Sequence, residues 1–322
     1  MPHPAALLVV AMPPPMKITG TTKYQRRQKK AQLPLLPGDA GLLKQIEKQR
    51  EATRQSKMIN EPLEYIGPLK DFSPVKSLSL KELDILSVVN GLTNQMWEEY
   101  PKKPNGAFTL SHKVLSECEE YRKTFPSAAS VNQLYGVFPA SNTKVDQAIN
   151  QLCREDKLKL LQVSSSDSSR DLVIEGREFY KICDPISPQL GLLCRSRPDA
   201  TWFDAKELRD EGIDIALAVK NGLLVVDPGR VGVHSLAIPN QGRILKLLQQ
   251  ARTWLLRTMT QHNRKFKELP ESQILDKLEA SKKHWTQLHG VKLDWVLYDA
   301  IGGGWVDGFH TPMGRGWKVL KS

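Results

Sequence analysis

The sequence predicts a mixed α/β fold, mainly α-helical with short β-hairpins, built as three tandem winged-helix domains. One pattern occurs three times in the chain: an amphipathic helix, a short strand, a turn with an arginine, and a second strand. The three copies span 141–174, 214–239 and 291–320. A helix followed by a hairpin forms the second half of a winged helix, in which the helix can enter a DNA groove. With 322 residues and 40% hydrophobic content, the chain can bury several small cores.

The predicted domain boundaries follow changes in composition along the chain. Residues 1–76 are basic and rich in proline, and we expect a largely disordered tail and linker there. The three winged-helix domains are then predicted at 77–184, at 185–265 with a long basic helix, and at 266–322.

Four helices are predicted in the first domain, at 79–100, 114–125, 131–138 and 142–155. Ser79 is a candidate N-cap for the first of them, because Glu82 follows at the spacing of a capping box. The last helix has a single apolar face, since its apolar residues recur at three- and four-residue intervals. Residues 176–184 are expected to close this domain.

The second and third domains repeat this design. In the second, helices are predicted at 202–211 and 215–220, and strands at 223–226 and 231–238 are joined by a turn that ends at Arg230. In the third, which begins near Glu271, the glycines at 302–304 end a helix, and 311–316 forms the turn of the hairpin.

Charge favours an acidic polymer as the partner. The formal net charge is +11 and the sequence pI is about 9.4, which is typical of nucleic-acid-binding proteins. The positive charge is concentrated at 17–57 and 239–322, whereas the middle of the chain is slightly acidic. Double-stranded DNA is therefore the expected partner, with RNA as a second candidate.

The segment 241–267 is predicted to be one helix with a basic side. One side of it, opposite an apolar arc, carries Arg243, Lys246, Arg257 and Arg264. No acidic residue occurs within 241–267, and the first one after it is Glu268. Arg252 falls inside the apolar arc, which indicates an internal ion pair or a snorkelling side chain. The other candidate DNA-binding residues are those in or near the hairpins and on neighbouring segments: Arg170, Arg230, Arg315, Lys318, Lys144, Lys265 and Lys267.

A second basic cluster lies in the N-terminal tail at 23–30. Clusters of this kind are typical of nuclear-import signals or of arms that lie on nucleic acid, although a solvated charged segment is the alternative. The proposed import residues are Lys23, Arg26, Arg27, Lys29 and Lys30. The expected location is the nucleus.

Metal, cofactor and membrane roles are not expected. The four cysteines form no CxxC pair, so we predict reduced, mostly buried thiols and neither a metal site nor a cofactor. The apolar run at 5–12 is too short to cross a bilayer and is followed by three prolines.

Several stretches resemble the serine/threonine-protein kinase 19 family. They are GRILKLLQQAR at 242–252, KFKEL at 265–269, the run YDAIGGGWVDGFHTPMGRGWKVL at 298–320, and the segments 138–162 and 208–226. Arg243, Lys246, Arg252 and the block 265–268 match the family pattern, whereas the longer spacing before that block leaves Arg257 and Arg264 unassigned. The resemblance implies three winged-helix domains, DNA binding in the nucleus, and a scaffold role in transcription-coupled nucleotide excision repair, with transcription or repair proteins as partners.

Two other functions compete with DNA binding. A protein kinase needs a glycine-rich phosphate loop and an HRD catalytic loop, and the sequence contains neither GxGxxG nor HRD. We therefore predict that the chain is not an enzyme, despite the family's name. The other alternative is a winged-helix module that binds proteins, with a tryptophan such as Trp202, Trp305 or Trp317 as an anchor.

Overall fold

The structure of the chain is a computed structural model that describes residues 48–49, 63–64, 67–68, 84–100, 110–138, 142–163, 171–262 and 265–321. The chain divides into two units, Met1–Ser56 and Lys57–Ser322, and every element given below belongs to the second unit. The predicted import cluster, Arg170 and Arg264 lie outside the described residues. Within the described part, no helix is long and apolar enough to cross a membrane.

Twelve helices occur in the described part of the second unit. In chain order, α1–α12 are Ile85–Asn94, His112–Lys123, Val131–Val137, Asn142–Arg154, Gly176–Cys183, Pro188–Ser196, Ala205–Asp210, Ile215–Lys220, Gln241–His262, Glu271–Glu279, Lys282–Thr286 and Leu293–Gly302. The long basic helix of the sequence is thus α9, and it ends at His262, five residues earlier than predicted.

In the described part of the chain, ten strands form three small antiparallel sheets, which confirms the mixed α/β character. In chain order, β1–β10 are Gly67–Pro68, Ala128–Ser130, Leu158–Leu161, Leu172–Glu175, Trp202–Asp204, Leu224–Val226, Val233–Leu236, Glu268–Pro270, Val306–Thr311 and Gly314–Val319. The strand orders are β2-β4-β3, β5-β7-β6 and β1-β9-β10-β8. The described residues contain no other sheet.

One topology recurs three times. A short strand (β2, β5 or β8) is followed by two or three helices and then by a β-hairpin, and the short strand pairs with the second strand of that hairpin. We call these units the first repeat (128–175), the second repeat (202–236) and the third repeat (268–319). The short strand and the two hairpin strands of each repeat therefore form a three-stranded antiparallel arrangement.

The short strand that opens each repeat was missed by the sequence analysis. The predicted helix at 202–211 begins instead with β5, and only Ala205–Asp210 is helical. Phe203 pairs with His234 on β7, so its extended conformation depends on a partner far along the chain. The helix predicted at 79–100 is also shorter: α1 begins at Ile85, after Asp84, and Ser79 lies outside the described residues.

The first and third repeats pack closely, because α3 and α12 meet at glycines. A Cβ atom added to Gly136 would overlap the carbonyl oxygen of Tyr298, and one added to Gly302 would overlap the carbonyl oxygen of Asn132. The side chain of Gln133 donates to the carbonyl oxygen of Trp295 at 3.1 Å. Glycine at both positions lets the two backbones approach closely.

A buried ion pair links these two repeats to α9. Arg252 donates to Oδ2 of Asp299 on α12 from Nη2 at 2.7 Å and from Nε at 3.1 Å. Ser130, which also caps α3, donates to Oδ1 of the same carboxylate at 3.2 Å. The guanidinium of Arg252 lies 3.5 Å from the ring centre of Trp305. Of the two alternatives stated for Arg252, an ion pair or a snorkelling side chain, the structure shows the ion pair.

The four cysteines are Cys118, Cys153, Cys183 and Cys194. All of them are free thiols and all are buried, as predicted. Burial raises the pKa of Cys153 to about 11, so this thiol stays protonated at neutral pH and behaves as a core residue.

Replacing Gly302 by alanine should destabilise the fold by about 1–3 kcal/mol or more, because the new methyl group overlaps the backbone of α3. Gly242→Ala is the matched control. Gly242 lies in α9, and no atom of the described residues lies within 4 Å of an added Cβ, so alanine there should be neutral or stabilising. Urea unfolding measures both. Equal stability of the two variants would contradict the close packing of α3 and α12.

Candidate nucleic-acid interface

Helix α9 separates an apolar face from a solvent face without any acidic residue. Its buried residues are Ile244, Leu247, Leu248, Ala251, Leu255 and Met259, all from the predicted apolar arc. Lys246 and Arg257 are exposed on the other side, together with amide and hydroxyl side chains. None of the 22 residues of α9 is Asp or Glu. Within the described residues neither Lys246 nor Arg257 forms an ion pair, so both charges face solvent.

Hydrogen bonds join the first turn of α9 to the end of α2. Arg243 donates from Nη1 to the hydroxyl oxygen of Thr124, and its guanidinium lies 5.6 Å from the ring centre of Tyr121. Asn240 donates from its side-chain amide to the carbonyl oxygen of Thr124 at 3.4 Å, and the hydroxyl of Tyr121 donates to the carbonyl oxygen of Arg243 at 3.3 Å. Arg243 is thus half-exposed and held in place by neutral groups.

A histidine beside this contact is partly buried and lies near three cations. The ring of His289 stacks on Tyr121, with 3.7 Å between ring centres and 15° between the planes. Its Nδ1 is buried and has no hydrogen-bond partner among the described residues. Burial, followed by the charges of Arg122, Lys246 and Arg243, lowers the pKa of His289 to about 4. Both burial and the nearby cations therefore disfavour the charged imidazolium.

Arg122 has a structural role that the sequence analysis did not identify. Its guanidinium lies 5.0, 4.4 and 5.6 Å from the ring centres of Trp97, Tyr100 and Trp285. It also donates from Nη2 to the carbonyl oxygen of His289 at 2.8 Å. The aromatic residues come from distant parts of the chain, so no local pattern marks this arginine. Its charge nevertheless adds to the potential near α9.

The arginines of the second and third hairpins are paired with carboxylates. Arg230 contacts Oδ2 of Asp227 from Nη2 at 2.6 Å. Arg315 lies at the start of β10 and forms an ion pair with Glu271, and Lys318 contacts Glu268 at 3.1 Å. These contacts balance much of the positive charge that the turns were predicted to offer.

The remaining predicted residues are dispersed. Lys144 is exposed on α4, and Lys265 is exposed with its ammonium 4.9 Å from the ring centre of Phe266. Lys267 is half-exposed and has a left-handed backbone with φ of 54°. Of the predicted DNA-binding residues that the structure describes, Arg243 and Lys246 lie in one cluster, and Arg257 continues the same face of α9.

Comparison with known proteins identifies relatives of the chain. The family described as inactive serine-threonine protein kinase 19 matches residues 93–227 and 229–319. The chain is also similar to the serine/threonine-protein kinase mug51 of Schizosaccharomyces pombe, with 25% identity over 206 residues. That alignment covers 59% of this chain and 65% of the yeast protein, so the chain spans slightly less than two thirds of that relative. The relative is named a kinase, whereas the family description says inactive.

The low pKa of His289 predicts that the fold loses stability as the pH falls from about 6.5 to about 4. An unfolded histidine titrates near pH 6.5, whereas folded His289 titrates near 4 because of burial and the nearby cations. The unfolded state therefore binds the proton first, and acid favours unfolding. His289→Asn, which tolerates a left-handed backbone, should reduce this pH dependence.

The measurement is the midpoint of urea unfolding at several pH values between 5 and 7. His310→Asn is the control, because His310 is an exposed residue of β9. Burial also lowers the pKa of His284, so part of the pH dependence should remain in both variants. Identical profiles for His289→Asn and the wild type would contradict the prediction.

Proposed function

The chain belongs to the inactive serine-threonine protein kinase 19 family, and we propose that it is a non-enzymatic nuclear protein that binds duplex DNA mainly through phosphates. The observation that carries the proposal is the solvent face of α9, where Lys246 and Arg257 are exposed and no carboxylate occurs over 22 residues. Exposed faces of soluble helices usually mix both signs of charge. A face with cations, amides and hydroxyls only is suited to a phosphate backbone.

The repeated topology supports this reading. A short strand, two or three helices and a closing hairpin, with the short strand paired to the last strand, is the arrangement of a winged helix. We therefore interpret the three repeats as the cores of winged-helix domains at 77–184, 185–265 and 266–322. Domains of this kind commonly present a helix and a hairpin to DNA.

Binding through phosphates implies weak sequence preference. Reading of bases needs side chains with bidentate geometry in a groove, whereas Lys246 and Arg257 lie on the outer face of a long helix. Cations of that kind release counterions from DNA whatever its sequence. We expect affinity that depends steeply on salt and little on sequence.

The wider role is a proposal from the family resemblance. A nuclear scaffold in transcription-coupled nucleotide excision repair would contact DNA together with transcription or repair proteins. The basic cluster at 23–30 has the composition of an import signal. RNA offers the same phosphate chemistry and remains a second possible ligand.

A kinase reaction has no support in the residues. Lys220 ends the sequence Ala-Val-Lys, which imitates the lysine strand of kinases. In the structure, however, it is an exposed residue at the end of α8 and not part of a strand. With no GxGxxG and no HRD in the sequence, the groups that phosphoryl transfer requires are missing.

Protein binding is the second candidate function, and the second repeat favours it. Val225, Val226 and Val231 on its hairpin are exposed at 50%, 55% and 105%. Trp202 is also partly exposed, while Trp317 is fully buried. An apolar interface depends much less on salt than phosphate contacts do, so salt dependence separates the two functions.

Removing two charges from α9 should weaken DNA binding and flatten its salt dependence. We expect the full chain with Lys246→Gln and Arg257→Gln to lose affinity for a random duplex. The slope of log K against log salt is negative, and its magnitude should decrease by about 1.8. Fluorescence anisotropy at several salt concentrations measures both quantities. A slope identical to that of the wild type would refute this location of the DNA site.

The matched control is Lys206→Gln with Arg209→Gln. Both residues are exposed on α7 of the second repeat, and the double change removes the same net charge. If the control weakened binding as much as the α9 variant, the effect would come from overall charge and not from the face of α9.

The purified chain should show no phosphotransfer from ATP to peptide substrates, and Lys220→Met should change nothing, because Lys220 lies on an exposed helix end. A radiolabelled ATP assay with the full chain tests this. Turnover that disappears in Lys220→Met would overturn the non-enzymatic assignment.

A further inference from the structure

Thr124 occupies an unusual position between two helices. It directly follows the last residue of α2, and its side chain is exposed. Its hydroxyl donates to the carbonyl oxygen of Glu120 at 3.0 Å and accepts a hydrogen bond from Arg243. An accessible hydroxyl therefore lies against the guanidinium that begins the basic face of α9.

Other basic and amide groups lie near Thr124 in the sequence or in the fold. Arg122 and Lys123 precede it in the sequence, and Asn240 donates to its carbonyl oxygen. Lys246 lies one turn further along α9. Burial first, and then the charges of Arg122, Lys246 and Arg243, lower the pKa of the neighbouring His289. The opposing groups are Glu120, one helical turn before Thr124, and the negative end of the α2 dipole.

We propose that Thr124 is a phosphorylation site, and that its phosphate binds Arg243 and prevents DNA from binding to the basic face of α9. This inference rests on the proposed function and concerns the regulation of the same site. The reaction is phosphoryl transfer from ATP by a serine/threonine kinase that prefers basic sequences. The Oγ1 atom of Thr124 forms a bond to the γ-phosphorus, the bond to the β–γ bridging oxygen breaks, the hydroxyl proton passes to the kinase, and ADP leaves.

The chemistry of the product explains the expected effect. A phosphothreonine carries about −1.5 to −2 charges at pH 7 and has three acceptor oxygens. Arg243 already donates to Oγ1, so the phosphate oxygens would meet its guanidinium with little rearrangement and form charge-assisted bonds. The added charge offsets roughly the two cations Arg243 and Lys246, which a DNA phosphate would otherwise contact.

The decisive experiment uses the full chain with phosphothreonine incorporated at position 124 by genetic encoding. Its affinity for a random duplex, measured by anisotropy, should fall about tenfold or more at 0.1 M salt. The magnitude of the slope of log K against log salt should decrease by about 1–2. Unchanged affinity and slope would overturn the proposal. Thr124→Asp should reproduce part of the loss.

Ser111→Asp is the matched charge control. Ser111 caps the other end of α2, where its side chain accepts from the backbone N–H of Val114, and aspartate preserves such a cap. The two ends of this 12-residue helix are about 18 Å apart, well beyond the screening length of about 8 Å at physiological salt. DNA affinity lost equally in Ser111→Asp and Thr124→Asp would refute a local effect.

Phosphorus NMR tests the contact with Arg243 independently of DNA. The second pKa of the phosphate, about 6 in the absence of partners, should be lowered in the phosphorylated chain and should return towards 6 in Arg243→Gln. No change on that substitution would refute the contact. If the unmodified chain failed to bind DNA, the proposed function would be wrong, while the phosphorus signal would still report on the contact.

The acceptor itself is tested with the unmodified full chain, ATP and the purified catalytic subunit of a kinase that prefers basic sequences. Mass spectrometry should place the phosphate on Thr124, and Thr124→Val should remove that modified peptide. Phosphate found only at other residues would overturn Thr124 as the acceptor.

Discussion

The salt bridge between Arg252 and Asp299 determines how the main parts of the molecule are joined. Arg252 belongs to α9, Asp299 to α12 of the third repeat, and Ser130 of the first repeat completes the hydrogen bonds of the carboxylate. Burial raises the pKa of Asp299, which the guanidinium and the hydroxyl oppose. A buried pair of this kind adds little net stability compared with an apolar core, but losing one partner leaves an unpaired charge and costs about 3–5 kcal/mol. Its main effect is therefore to specify one arrangement of α9 on the repeats.

That arrangement decides which charges of the chain are available to a ligand. With Arg252 turned inward over Trp305, the opposite face of α9 points to solvent and carries Lys246 and Arg257 outward. The hairpin arginines Arg230 and Arg315 instead lie beside Asp227 and Glu271. A cation that already has a carboxylate partner must lose that contact before it binds phosphate. The exposed face of one helix is consequently better suited to DNA than the hairpins from which the sequence pattern was first recognised.

Much of the helical structure was predictable because it has local causes. Periodic apolar residues located α4, α8 and α9 to within a few residues, and the glycines after Ile301 correctly marked the end of α12. The first strand of each repeat was not predictable, because β2, β5 and β8 are three-residue pairings with strands far along the chain. For the candidate site, the basic face of α9 followed from the sequence, whereas Thr124 and Tyr121 reach Arg243, and His289 reaches Tyr121, only by tertiary contact.

The sequence by itself determined the net charge, the acid-free basic face of one helix, the absence of kinase motifs and the place of Arg252 within the apolar arc of α9. Each of these depends on residue type or on helical periodicity, which act over a few residues. The tertiary structure decided which cations are neutralised, how closely α3 and α12 approach at Gly136 and Gly302, and which neutral groups hold Arg243. The glycine contacts and the contacts of Arg243 join residues more than 100 positions apart, and Arg315 and Lys318 meet carboxylates 44 and 50 positions away. Such distances are settled only when the separate elements pack into one core.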